Sequence, residues 1–434
     1  MIKSSHLIFL LILIVLLASC KKDDTVIHAE IQILQPEKNM DFDVLDTIPI
    51  VVTVNHPSTK VYLKINLQND QFTPMQAPLV IDDFETGKEM RLSYVLENLH
   101  LETNTYNLAF QVTVDELTDN FYRPVVVHEV AKTLERIVVI EKIDSQSLRL
   151  VVLREQMEIT NEKVVAGDFG GCEVSSWHQL VFLSGKYQGD LVAMSAAGLE
   201  EKWRIPSILN PPHPGLTALS YNENYLFAAY YSGQVIGYNM EGQSGYSSAV
   251  STGIYSKLLQ QSGNTLVSFS GQANGNRRYA GDIFAFPSGD LLSAFFVDVD
   301  LVGCLLVEDD RVLIFGNDLQ SHVQTLLLHL EDGFIGEPYQ PFQMPGGKLN
   351  AFAEINDGTA FLAFDNGIYR YIYQESMSLF TSQTNISSME YDQVSSMLYA
   401  ADGNNVYAIN GSGNTVMQRN FDNLIHSFRL LFNK

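Results

Sequence analysis

The sequence predicts an all-β protein: a β-sandwich followed by a β-propeller whose ring is closed by the C-terminal strand. Three observations predict it. Residues 28–131 hold seven short apolar runs separated by polar turns. Residues 134–433 repeat, seven times, a unit of apolar strand, polar loop, apolar strand and turn. An apolar segment near the C-terminus, IHSFRLLF (425–432), has no partner after it.

Composition fits such a chain. Of 434 residues, 46% are hydrophobic, enough to bury cores and too many for wholesale disorder. The net charge of -23 argues against a nucleic-acid binder, which needs a basic footprint. Three cysteines are too few for a disulfide scaffold or a multi-cysteine zinc site.

The N-terminus comes first in order. Lys3 precedes LIFLLILIVLL, residues 7–17, which is shorter than the roughly 20 residues a spanning helix needs. It suits the apolar region of a secretory signal, here residues 1–19. Leu17-Ala18-Ser19-Cys20 follows and resembles a bacterial lipobox. That resemblance implies cleavage before Cys20, acylation of Cys20 and a linker over 20–27. Lys21-Lys22-Asp23-Asp24 resembles the export tag of surface lipoproteins from Bacteroidetes-type bacteria. Asp24-Thr25-Val26 and Asp46-Thr47-Ile48 match the O-glycosylation triplet of those bacteria. The implied partner is a lipid bilayer held through Cys20, since two or three acyl chains anchor stably. The implied place is the outer membrane, facing outward.

The first domain, 28–131, reads as strands EIQIL (30–34), IPIVVTV (48–54), KVYLKINL (60–67), PLVI (78–81), MRLSYVL (90–96), YNLAFQVTV (106–114) and YRPVVVHEV (122–130). Val61, Leu63, Ile65 and Leu67 alternate with polar residues, the period of a half-buried strand. Seven strands in about a hundred residues predict an immunoglobulin-like sandwich, with Tyr106 placed for a tyrosine corner. Such a domain reads either as an adhesion or recognition module or as a spacer, and the lack of an aromatic cluster or charge constellation favours the spacer.

The second domain, 134–433, is built from repeats. Their clearest strands are RIVVI (136–140), QLVFL (179–183), YLFAA (225–229), TLVSF (265–269), RVLIF (311–315), AFLAF (360–364) and MLYAA (397–401). Successive starts lie 37 to 49 residues apart, about the length of a four-stranded propeller blade. Before each sits a turn such as Tyr221-Asn222-Glu223-Asn224, rich in residues that accept positive φ. RIVVI alone lacks a preceding strand, so 425–432 is expected to supply it, giving seven blades and no open edges.

GDLVAMSAAGLEEKW (189–203) resembles a repeat of the quinoprotein-like (PQQ-like) propeller superfamily, and GQVIGYNMEG and NNVYAINGSG are weaker copies. WD-type propellers are less similar, for regular Gly-His and Trp-Asp pairs are missing. True quinoproteins hold their quinone with polar residues, calcium and often adjacent cysteines. Cys172 and Cys304 instead fall in separate repeats and read as small buried hydrophobes, so no cofactor is expected. The histidines show no paired ligand spacing, and Glu308-Asp309-Asp310 lacks the pattern of a calcium loop, so no metal is expected. No nucleophile elbow or phosphate loop marks a catalytic residue.

Loop length is the better guide. In a propeller, loops joining second to third strands and loops joining blades lie on one face. Four are long: 204–215, 271–281, 316–324 and 336–348. They carry His213, Arg277, Arg278, His322, Tyr339 and Phe342, residue types that anchor binding surfaces. The expected role is non-catalytic binding of a protein or glycan through this face. Two alternatives stand beside it: a carbohydrate-active or quinoprotein-like enzyme with a site in the central channel, and an outer-membrane assembly scaffold.

Overall fold

The computed structural model describes residues 27–434 apart from 115–116, 208–212, 223, 251–253, 273–278 and 309. Cys20, Arg277 and Arg278 therefore lie outside the described residues. The described elements are all strands. The chain divides into two compact units, at Ala131 and Lys132.

The first unit contains β1 (Glu30–Gln35), β2 (Met40–Asp43), β3 (Thr47–Asn55), β4 (Lys60–Gln68), β5 (Leu79–Glu85), β6 (Glu89–Val95), β7 (Asn104–Val114) and β8 (Leu117–His128). They form two sheets, β1-β3-β6 and β2-β8-β7-β4-β5. Both sheets turn apolar residues into one core: Ile48, Ile50, Val52 and Val54 from β3, and Leu63, Ile65, Leu108 and Phe110 from β4 and β7. Alternation sets this register, because a slip of one residue would carry the whole apolar set to the other face. The sequence reading missed β2, which pairs parallel with β8 from Met40↔Val125 to Asp43↔His128. Only Phe42 of that strand is buried, between two aspartates, so no alternation is visible.

Tyr106 is 3% exposed, and its hydroxyl donates to the carbonyl of Glu102 at 3.1 Å. Replacing it with Phe is expected to lower this unit's unfolding free energy by about 1 kcal/mol, the ordinary net value of one hydrogen bond. The urea midpoint of the Tyr106→Phe chain checks this; an unchanged midpoint would mean the bond adds nothing.

The second unit is a succession of four-stranded antiparallel sheets. The first contains β9 (Leu134–Lys142), β10 (Ser147–Leu153) and β11 (Ile159–Ala166). The second runs β12 (Gly171–Ser175), β13 (Leu180–Ser184), β14 (Leu191–Ser195), β15 (Glu201–Ile205). The third runs β16 (Leu216–Tyr221), β17 (Leu226–Tyr230), β18 (Val235–Tyr238), β19 (Ser244–Ser247). The fourth runs β20 (Ile254–Ser262), β21 (Thr265–Gln272), β22 (Tyr279–Ala285), β23 (Leu291–Val297). The fifth runs β24 (Asp300–Glu308), β25 (Arg311–Asn317), β26 (Val323–His329), β27 (Ile335–Gly336). The sixth runs β28 (Leu349–Asn356), β29 (Thr359–Phe364), β30 (Gly367–Ile372), β31 (Ser376–Thr381). The seventh runs β32 (Ser388–Asp392), β33 (Met397–Asp402), β34 (Asn405–Ile409), β35 (Thr415–Asn420).

The last strand, β36 (Ile425–Phe432), completes the first sheet by pairing with β9, with Phe428 opposite Val139 and Leu430 opposite Ile137. The sheets then close a cycle. Leading strands neighbour one another in the order β36, β12, β16, β20, β24, β28, β32 and back to β36. Each apolar core is shared by two adjacent sheets. Phe428 with Tyr399 joins the seventh to the first, and Leu150 with Val181 joins the first to the second. Phe182 with Leu226, Phe227 with Leu266 and Phe269 with Val312 carry the packing onward. Leu313 with Leu362, and Phe361 with Leu398, return it. This is the arrangement of a β-propeller. The second strands, such as LVFLS and TAFLAF, are buried along their whole length because a neighbouring sheet covers each face. That is why they stand out in the sequence.

Candidate functional site

Strand order places the predicted loops. Residues 206–215 and 337–348 join one sheet to the next, while 273–278 and 318–322 join second to third strands. All four belong to one end of the ring. All four are shorter than the sequence suggested, because β15, β21, β22, β25, β26 and β27 absorb their ends.

The predicted residues meet different fates. His213 is exposed and stacks on Tyr231, with ring centroids 4.3 Å apart and planes 13° from parallel. His322 is exposed, but Asp318 takes hold of it. The Asp318 carboxylate accepts the amides of Gln320 and His322, both at 2.8 Å, and lies 3.7 Å from the imidazole. Those backbone donors hold the Asp318 carboxyl below its usual range. Tyr339 is 68% exposed. Phe342 is half-buried and sets its ring edge-on to the fully buried Tyr371, centroids 5.6 Å apart. Its role is to pin loop 337–348 to the core between the fifth and sixth sheets, where Met344 packs beside it. The pinned loop walls a cleft of about 320 Å³ lined by Val323, Thr325, Leu326, Pro338, Gln340 and Met344. Among the described residues, His213, His322 and Phe342 are thus each tied to a different neighbour: Tyr231, Asp318 and Tyr371.

One group is gathered elsewhere. The turn Gly185-Lys186-Tyr187-Gln188-Gly189 joins β13 to β14, and Tyr187 at its tip is 44% exposed. Asp168, in the loop before β12, accepts the amides of Lys186, Tyr187 and Gln188 at 3.0, 2.8 and 2.9 Å. That fixes the turn. The two ends of the turn touch so closely that a Cβ on Gly185 would sit 2.1 Å from the Gly189 Cα, so glycine is required there. The next loops are tied on in series. The Gly215 amide donates to the Lys186 carbonyl at 2.8 Å, and the Tyr231 amide donates to the Gly215 carbonyl at 3.1 Å. Tyr187 and the His213–Tyr231 stack therefore share one fixed platform over the second and third sheets. Sequence reasoning found His213 but not Tyr187 or Tyr231. The available signal was a tyrosine at the tip of a glycine-bounded turn.

A second polar feature crosses the leading strands. Arg429 of β36 lies between Glu173 of β12 and Glu390 of β32, with nitrogen–oxygen distances of 3.0 Å to each. Arg429 also donates through Nε to Glu173 at 3.3 Å, and the Leu430 amide donates to Glu390 at 2.6 Å. Burial pushes the Glu390 carboxyl up to about 7, against the pull of Arg429 and the Leu430 amide. Burial alone would lower the Arg429 guanidinium, but the two carboxylates hold it well above its ordinary value. Glu354 of β28 is likewise raised, by burial and by Asp357. Cys172 and Cys304 are free, buried thiols on β12 and β24. Burial pushes the Cys172 thiol up to about 12 and raises Cys304 as well, the opposite of what a reactive thiolate needs. Among the described residues, no group of three or more His, Cys, Asp or Glu is placed to hold a metal ion.

No family model and no curated protein matches the chain. Some solved structures resemble it in part. The WD40 domain of coronin from Toxoplasma gondii is 12% identical, with 63% of this chain and 78% of that one covered, at a TM-score of 0.47. A DUF4784 family protein from Bacteroides caccae is 11% identical over 84% of this chain and 98% of that one, at 0.38. A quinohemoprotein alcohol dehydrogenase from Pseudomonas putida is 10% identical over 64% and 53%, at 0.37. Values this low say nothing of activity, and the β-propeller rests on the strand order and the shared cores.

Proposed function

We propose that this chain is an acylated cell-envelope lipoprotein of the outer membrane, facing outward, that binds a protein or glycan without catalysis. Residues 28–131 are an immunoglobulin-like spacer, and 134–433 form a seven-bladed, quinoprotein-like head. The lipobox ending at Cys20 and the Lys21–Asp24 stretch support the anchor and the export. The Tyr106 to Glu102 bond supports the tyrosine corner of an immunoglobulin-like sandwich. The cycle of shared cores supports seven blades.

One observation carries the binding role. At the long-loop end of the ring, exposed aromatic side chains sit on turns fixed by backbone hydrogen bonds, as Tyr187 is by Asp168. Preorganised aromatic anchors of this kind lose little freedom on contact and are common centres of binding energy. The rival reading, an enzyme in the central channel, has one observation in its favour: a carboxyl near 7 on Glu390, within the range of a general acid. Arg429 and the Leu430 amide already occupy that carboxylate.

The test is crosslinking in intact cells, followed by affinity purification and mass spectrometry. Replacing Arg277 and Arg278 with Ala and shortening 204–215 are expected to weaken capture at least several-fold without changing the melting temperature. Undiminished capture would sink the assignment of this face. A stoichiometric protein partner held elsewhere would favour the scaffold.

A further inference from the structure

Tyr187, His213 and Tyr231 present a chemistry narrower than binding in general. We infer that they form a subsite for a neutral hexose polymer. This rests on the reading that the long-loop end is the binding face, and it names the ligand class.

The geometry supports it in three ways. The carbonyl-to-amide links Lys186–Gly215–Tyr231 repeat the connection between adjacent strands. Two such steps set the backbones of Lys186 and Tyr231 roughly 10 Å apart. That separation suits two ring platforms along one extended sugar chain. The flat face of a pyranose carries C–H groups with slight positive charge, which match the negative face of an aromatic ring. Tyr187 offers a phenol ring with the Lys186 ammonium 5.6 Å from its centroid, and His213 on Tyr231 offers a stacked pair. Gln188 and Ser232, exposed next to them in sequence, supply amide and hydroxyl groups for sugar hydroxyls.

Charge and packing select against other ligands. A chain of net charge -23 repels polyanions, and Lys186 is the one lysine or arginine among these turn residues. A protein partner would meet a broad apolar centre. Here Leu216, Leu226 and Phe182 beneath the platform are sealed in the core, so only rings reach the surface.

The experiment is affinity electrophoresis of the full chain in detergent through gels holding dextran, laminarin, mannan or xyloglucan, with polygalacturonate as the anionic control. At least one neutral polysaccharide is expected to retard the chain. Tyr187→Ala and Tyr231→Ala should each raise its apparent Kd at least tenfold at an unchanged melting temperature, while Tyr187→Phe, which keeps the ring, should stay within about twofold. Retardation by none of the neutral polysaccharides, or by polygalacturonate alone, overturns the inference. So does a Kd that neither alanine variant moves. Should the alanine variants abolish capture of a protein in intact cells while no polysaccharide binds, the sugar subsite falls and the binding face stands. Should they alter neither readout, both fall.

Discussion

A chain ending at Asn423 is expected to lose the cooperative unfolding of its 132–434 unit. Such a chain lacks β36, the leading strand of the first sheet. Phe428 and Leu431 are fully buried, and Ile425 and Leu430 nearly so. Truncating one buried phenylalanine to alanine costs about 3–5 kcal/mol, and a whole domain is stable by only about 5–15 kcal/mol. Removing four such side chains together with the hydrogen bonds to β9 exceeds that margin. It also bares the β9 edge and the faces of the first, second and seventh sheets, which invites association. Calorimetry and gel filtration check the expectation. A monomer with one sharp transition at the parent temperature would show that the ring does not depend on this strand. Phe428→Ala alone should lower stability by about 3–5 kcal/mol and leave a weakened but single transition.

The second large effect concerns Arg429. Above about pH 7, where Glu390 gives up its proton, Arg429→Ala leaves Glu173 and Glu390 facing one another without their cation. Losing one member of a fully buried ion pair costs about 3–5 kcal/mol. Arg429 keeps 26% of its side-chain surface, so about 2–4 kcal/mol is the reasonable discount. Arg429→Ala combined with Glu390→Gln should recover part of the loss, because one of the opposed charges is gone. A pH dependence goes with it. The folded state holds the Glu390 proton up to about 7, whereas the unfolded chain releases it near 4.5. Between those values the native state binds more protons than the unfolded state. The group's stabilising contribution is therefore full below about 4.5 and is lost as pH rises through about 7. Arg429, Glu173 and the Cys172 thiol are the charged or titratable groups acting on it. Denaturation midpoints between pH 4.5 and 8 should fall with rising pH in the parent chain and fall less in Glu390→Gln. Parallel slopes would remove Glu390 from the account.

These effects differ in how far the sequence announces them. The second strands announce themselves, because a strand covered on both faces must be apolar throughout, as TAFLAF is. The place of β36 follows from the same logic: an apolar strand without a sequential partner needs a distant one. The outer strands do not. EKWRI, SGYS and the two-residue β27 lie at the rim, mostly exposed, and carry no pattern to read. In the candidate site, strand order alone says which loops share an end of the ring, but not what their side chains do. Phe342 looks like a surface anchor until Tyr371 is found beneath it. Tyr187 looks ordinary until Asp168 is seen to lock its turn. The Glu173–Arg429–Glu390 bridge joins residues from three separate repeats, and no local spacing encodes it.

The pairing of β36 with β9 also sets an order in time. Thr133 and Asn433 are joined by a hydrogen bond although they stand 300 residues apart. During synthesis, β9, β10 and β11 emerge early and remain a sheet with one strand missing. Every later sheet can form its own hairpins as it appears, but the first waits for β36 to arrive. At about 5–20 residues per second, that wait lasts roughly 15–60 seconds. Closing so long a loop is the slow, non-local step of folding. Throughout it, the β9 edge stays open to pairing with any other exposed strand.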